Sequence, residues 1–300
     1  MITVFGSTNL DQVGTVGRLP RPGETVAGGA FSMAPGGKGA NQALAARRAG
    51  ARVLHVSAVG ADAFADMALA LLERDGVDLS RLRRADTATG IAMIFVDAAG
   101  ENVIAVLPGA NGTMSPEDAE RGLAGLGPGD TLLVQQEIPQ PATRRALEIA
   151  RRAGARSLLN TAPFLSDTAE LAPLADIVVA NETEFSLLSG RPIAALDAAM
   201  RDWVERTGRT IVVTLGPDGA RARTPQGALA VPAHEVTPVD TVGAGDTFCG
   251  YLAAALDAGL SLETAMRRAA VAGSLACLTP GAQPAIPLAA QVDAILAGRP

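Results

Sequence analysis

Short, almost wholly apolar runs alternate with Ala/Leu-rich helical runs along most of this chain. ITVFG comes first, and LHVSAVG follows the helix-like stretch 38–49. TLLVQQ (131–136), RSLLN (156–160), DIVVAN (176–181) and TIVVTLG (210–216) come next, mostly separated by one or two amphipathic helices. A strand that is apolar at successive positions must be covered on both faces, and a strand–helix alternation supplies that cover around a parallel sheet. The pattern predicts a three-layer α/β/α sandwich with a mainly parallel central sheet. From about 245 onward it is nearly all helix. Residues 10–34, with Gly/Pro punctuation, and the hairpin-like GIAMIFVDAAGENVIAVL at 90–107 break the rhythm. Together they predict a small β-layer, a lid or a dimer surface, within one domain spanning 1–300.

Composition narrows the function. A net charge of −6 without a long basic run argues against a nucleic-acid surface. No stretch reaches the roughly 18 uninterrupted apolar residues of a membrane span, and the N-terminus reads as a first strand, not a signal peptide. Cys249 and Cys277 lack a spacing motif and read as core thiols, consistent with a cytoplasmic compartment. His55 and His234 have no partners at ligand spacing, so a His-based metal site is not expected. Of 25 basic residues only Lys38 is a lysine, and it lies inside APGGKGANQALAARRAG. A slim ammonium suits a crowded glycine turn better than a guanidinium fork.

VDTVGAGDTF places two acids, Asp240 and Asp246, around a glycine turn that enters an apolar helix. The turn is neither a Walker A loop nor a Rossmann fingerprint. What it offers is a run of backbone N–H groups, Gly243, Ala244, Gly245 and Asp246, able to cradle a phosphoryl group. Asp246 at its edge is placed to accept a proton from an attacking hydroxyl. The same residues also suit a plain helix cap. NETE at 181–184 reads as a capping box, or as Asn181 near nucleotide phosphates with Glu184 holding hydrated Mg²⁺. Asn9 and Asp11 share one face of an extended segment at a strand end, where α/β sheets bind ligands. With GGKGAN and Glu137 they form a sugar-like hydrogen-bonding set; ordinary turns and a solvated loop are the other reading. VTLGPDGA at 213–220 is a glycine turn or a nucleotide-lining backbone.

GSTNLD, APGGKGANQALAA, LPGAN, NETE, VTLG-DG, VDTVGAGDTF and GAQPAIP occur in the order and spacing of the ribokinase-like sugar kinases, and the chain resembles that family over essentially its whole length. The resemblance implies ATP-dependent phosphorylation of the ribose 5-hydroxyl, with Asp246 as base and the Gly243–Asp246 amides as anion hole. It implies that Asn9, Leu10, Asp11, Gly37, Lys38, Gly39, Ala40, Asn41 and Glu137 surround the sugar. Asn181, Thr214, Leu215, Gly216, Pro217, Asp218, Gly219 and Gly245 would face ATP, with Glu184 near Mg²⁺. Asp240, Val242, Ala276, Thr279, Gly281 and Ala285 would hold a monovalent cation such as K⁺, several through carbonyls. Ala285 and Ala270 depart from the family by offering no polar side chain to the cation loop and to adenine. The resemblance also implies a homodimer through the β-lid. Aromatic residues are only 3% of the chain, which favours a small sugar over a nucleoside. Another sugar kinase, a nucleoside kinase and a non-catalytic sugar-binding protein are the alternatives.

Overall fold

The computed structural model describes residues 1–298. Fourteen strands are formed: β1 Ile2–Phe5, β2 Asn9–Val16, β3 Gly28–Gly36, β4 Val53–Val56, β5 Ala58–Gly60, β6 Arg83–Ala85, β7 Gly90–Val96, β8 Asn102–Leu107, β9 Thr131–Val134, β10 Arg156–Asn160, β11 Ile177–Asn181, β12 Thr210–Thr214, β13 Ala220–Thr224 and β14 Gly227–Val231. Eight of them make one sheet in the order β14-β13-β12-β11-β10-β9-β1-β4. Every pairing from β12 across to β4 is parallel, and the β12–β13 and β13–β14 pairings at one edge are antiparallel.

The period-two alternation of side chains sends each strand's apolar residues to two separate cores. Ile2, Val4, Leu133, Leu158, Val179 and Val212 face one, with helices Lys38–Arg48, Ala244–Asp257 and Leu262–Ala276 over it. Phe5, Leu132, Val134, Leu159, Val178 and Val213 face the other, under helices Gln140–Ala153 and Leu196–Thr207. This is the expected α/β/α sandwich. Within the first layer, helices Lys38–Arg48 and Ala244–Asp257 touch at Gly250. A Cβ there would lie 2.5 Å from the Ala45 Cβ and 2.6 Å from the Gln42 carbonyl oxygen, so only glycine permits the crossing. That crossing brings the first turn of the second helix against the start of the first.

The irregular stretches form a second sheet, β3-β2-β7-β8, in which β2 and β7 pair in parallel and the two outer pairings are antiparallel. The strands expected within 10–34 and 90–107 therefore exist, joined at 97–101 by a tight turn around Asp97. Two features differ from the sequence reading. LHVSAVG is two strands, since Ala58–Gly60 leaves the main sheet to pair with β6. The β13–β14 hairpin follows what reads as a simple glycine turn. Among the described residues no helix is long and apolar enough to cross a membrane.

Candidate active site

The polar residues of the site sit where apolar strands end. Gln135 directly follows β9, and Asn160, Asn181 and Thr214 close β10, β11 and β12. Adjacent parallel strands thus present their carboxyl ends along one rim, the usual ligand position in open α/β sheets. Lys38, Asn160, Asn181, Glu184, Thr214, Gly243, Gly245, Asp246 and Cys249 line a single cleft there.

Asp246 occupies the third position of helix Ala244–Asp257, behind Gly243, whose φ of 77° turns the chain into the helix. Asp246 lies in the first turn of the helix, as a helix-stabilising acid would, but no side chain caps that turn. The carboxylate reaches across to the other helix instead. Its Oδ2 accepts from Asn41 Nδ2 and its Oδ1 from Gln42 Nε2, both at 2.9 Å. Asp246 and Asn41 are each 6% exposed, and Gln42 is fully buried. Asn41 Oδ1 is buried with no partner among the described residues, an acceptor aimed at nothing the protein supplies. Ala244 donates its N–H to the Thr241 carbonyl at 3.3 Å. The amides of Gly243, Gly245 and Asp246 have no acceptor among the described residues, so the free N–H groups at this helix start, of the kind that suit an anion, do not include that of Ala244.

Lys38 begins helix Lys38–Arg48, half-buried. Asp246 chiefly raises the pKa of its ammonium, with help from Glu137 and Glu184 and against the cost of burial. The Glu137 carboxylate accepts from Lys38 N at 2.9 Å and Ser7 Oγ at 2.6 Å. Asn9 Oδ1 accepts from Asn111 Nδ2 at 2.7 Å, and Asn111 is also bound to both backbone groups of Thr8. Asp11 has no hydrogen-bonded partner for its carboxylate among the described residues. Burial, then the charges of Glu137 and Asp246, push its pKa up to about 7 despite Lys38. Gly39 donates to Ser7 Oγ and Ala40 to the Ser7 carbonyl, which ties the glycine turn to the end of β1. Leu10 and Ala40 are fully buried, so their side chains do not reach the cleft.

Where β11 ends, the capping box of Asn181 and Glu184 is present. Glu184 Oε2 also accepts from Thr161 Oγ1 at 2.9 Å. Of the stretch Thr214–Gly219 only Thr214 lines the cleft; the Leu215 side chain is buried in the second core. Gly216–Asp218 is a turn that leads into β13, closed by a Leu215–Gly219 backbone bond. Asp240 stands apart from Asp246. It accepts from Val242 N at 3.0 Å and Gly281 N at 2.8 Å, joining two of the expected cation-loop segments. Ala276 and Ala285 are buried, and Thr279 is exposed. Both cysteines are free: Cys249 is buried, one turn along from Asp246, and Cys277 is half-buried.

Gln42, Gln135, Asn160 and Asn111 went unrecognised in the sequence. The available signal was a polar residue at the end of an apolar strand, as in TLLVQQ and RSLLN.

A parallel sheet with free amides at a helix start and an acid beside them at the strand ends is an arrangement suited to phosphoryl transfer. Residues 1–289 match the pfkB family of carbohydrate kinases, and the chain belongs to that family. It is 37% identical over 304 residues to the ribokinase of Staphylococcus aureus (strain COL), covering 98% of this chain and 99% of that protein. It is 35% identical over 300 residues to the deoxyribokinase of Salmonella typhi, covering 98% of each. The structure of Arabidopsis thaliana ribokinase complexed with ribose and ATP superposes with a TM-score of 0.89 at 30% identity, covering 98% of both chains. The protein is an ATP-dependent sugar kinase.

Proposed function

We propose that this kinase transfers the γ-phosphoryl group of ATP to the 5-hydroxyl of D-ribose, giving ribose 5-phosphate and ADP. The observation that carries the reading is the Asp246 carboxylate, held on both oxygens by buried amides at the mouth of an N–H-rich helix start. A carboxylate so placed accepts the hydroxyl proton as the oxygen attacks phosphorus, while the free amides and the Lys38 ammonium take up charge on the transferred group. Asp11, Asn9, Glu137 and the unpartnered Asn41 Oδ1 offer acceptors for sugar hydroxyls. Similarity to ribokinases, one of them complexed with ribose and ATP, supports the sugar. A second reading, 2-deoxyribose, is favoured by the similar extent of identity to a deoxyribokinase.

Among the described residues no three His, Cys, Asp or Glu side chains gather as a metal site. That suits Mg²⁺ carried mainly by ATP and reached through water from Glu184, whose Oε1 has no hydrogen bond among the described residues. The Asp240 carboxylate, joined to Val242 and Gly281, would hold a weakly bound cation such as K⁺ together with carbonyls of Val242, Ala276, Thr279, Gly281 and Ala285. Such a cation would add positive charge behind the anion site. ATP use and free thiols fit a reducing cytoplasm. The apolar outer face of the second sheet supports a homodimer, with the two sheets as its interface, and the whole chain acting as one domain.

An ADP-release assay against ribose, 2-deoxyribose, other pentoses, hexoses and nucleosides, with and without K⁺, tests the reading. Ribose should give the highest kcat/KM. Preference for a hexose or nucleoside would reject it, and preference for 2-deoxyribose would select the second reading.

A further inference from the structure

Behind Asp246 runs a buried chain of amides that the phosphoryl chemistry itself does not use. Gln42, Gln135 and Asn160 are 0%, 1% and 8% exposed. Gln42 Nε2 donates both of its hydrogens, to Asp246 Oδ1 at 2.9 Å and to Asn160 Oδ1 at 3.1 Å. Gln42 Oε1 accepts from Gln135 Nε2 at 2.6 Å. Asn160 in turn donates its own Nδ2 to the Val179 carbonyl at 3.2 Å.

Each contact removes a choice. A side-chain amide has two faces that differ only in which end donates, so its direction is set by its neighbours. The Val179 carbonyl can only accept, which points the Asn160 oxygen at Gln42. The Asn160 oxygen and the Asp246 carboxylate both accept, so the Gln42 NH₂ faces them and its Oε1 faces the Gln135 N–H. Reversed, Gln42 would bring a carbonyl oxygen against an anion in a buried site, a contact that costs far more than it does in water.

The place of Gln135 is set by shape: its Oε1, without a hydrogen-bond partner among the described residues, lies where a side chain on Gly6 would begin. The missing side chain at Gly6 makes room for the Gln135 amide, and the Gln42 oxygen, turned away from the carboxylate, draws the Gln135 N–H toward it.

We propose that Gln42 is the positioning residue of this kinase: its amide fixes the plane of the Asp246 carboxylate and holds it ready to take a proton, Asn160 sets the direction of that amide, and Gln135 braces its far end. The proposal rests on the reading of Asp246 as the base. Asn41 holds the second oxygen from the same helix but borders the sugar set, so its loss would confound binding with chemistry. Gln42 has no surface from which to touch sugar or nucleotide, which lets its effect be separated.

The test uses the full-length enzyme, with kcat, both KM values and the pH dependence of kcat measured for Gln42→Leu, Gln42→Glu, Gln135→Met and Asp246→Asn, and folding checked by thermal melting. Gln42→Leu removes one charge-assisted bond. It should lower kcat about ten- to a hundredfold, leave both KM values within about twofold, and move the acidic limb of the kcat profile up by about one pH unit. Gln42→Glu sets a second acid beside the first and should move that limb further in the same direction. Gln135→Met, one residue removed from the carboxylate, should give the same direction at less than half the size. Should the Gln42 variants fail to fold, the Gln135→Met limb decides.

An unmoved limb in the folded variants, or a loss confined to KM, overturns the positioning role. If Asp246→Asn is inactive while the Gln42 and Gln135 variants behave as wild type, only this inference falls. If Asp246→Asn turns over normally, the base reading falls and takes the inference with it.

Discussion

Every residue of β9 (TLLV) is buried and every residue of β8 (NVIAVL) is exposed, although both strands are short and mostly apolar. The first lies in mid-sheet between β1 and β10, with helices over both faces. The second is an edge strand whose only neighbour is β7. Val103, Ile104, Val106 and Leu107 on β8 are 46–53% exposed, and Phe31 and Met33 on β3 at the opposite edge are 65% and 38% exposed. An apolar edge of this kind invites pairing with another chain. The two sheets also divide the site. The end of the central sheet carries Gln135, Asn160, Asn181 and Thr214, while β2 of the small sheet carries Asn9 and Asp11. On the proposed reading, the part covered on both faces holds the chemistry and the less covered part holds the sugar.

That division can be broken at several points. The largest effect belongs to the helix packed on the central sheet: Asp246→Asn should lower kcat by about three orders of magnitude or more with sugar binding largely kept. Steady-state kinetics beside calorimetric sugar titration checks it, and equal losses in both would erase the distinction. Next comes Asp11, where the sugar constant should suffer more than turnover. Asp11→Asn should raise the sugar KM about tenfold or more while kcat changes less. Because the ionised form is the better acceptor and its pKa is about 7, wild-type sugar affinity should rise between pH 6 and 8, and the variant should lose that slope. Stability runs the other way. A folded-state pKa raised above the ordinary 3.8 contributes stability fully present below that value and lost as pH rises through about 7. Ligand-free Tm should therefore carry an Asp11 component that falls from pH 5 to 8 and is absent from Asp11→Asn.

Smaller effects separate the remaining parts. Asp240→Ala removes the bridge between Val242 and Gly281 and should blunt activation by K⁺ over Na⁺ several-fold, with sugar KM little changed. A wild-type enzyme indifferent to K⁺ would remove the cation role. Ile104→Lys on β8 should convert a dimer to a monomer in sedimentation velocity with activity within a few-fold. A wild-type monomer at micromolar concentration would reject the interface.

The central sheet was legible because six of its strands are covered on both faces, so their apolar runs stand out from any polar context. The β13–β14 hairpin was not. In ARARTPQGALAV charged and small residues alternate on an edge, and the glycine turn before it masks the strand it starts. In the site, motifs pointed to Asp246, Asn41 and Glu137, whose polar groups bond across elements at the strand ends, and to Leu10, Ala40 and Ala244, which are packed or paired. The amide chain through Gln135 and Asn160 was hidden for a different reason. Its members lie 93 and 118 residues from Gln42, and no local pattern announces a hydrogen bond across that distance.

The arginine bias of this chain leaves Lys38 as its single side-chain amine, beside the acid assigned to proton transfer. An acylating reagent therefore has one internal target, and one peptide mass reports whether it has been reached. Ribose and nucleotide, added separately, should each slow the labelling to the extent that they cover this ammonium. The enzyme carries its own occupancy gauge, readable without any turnover.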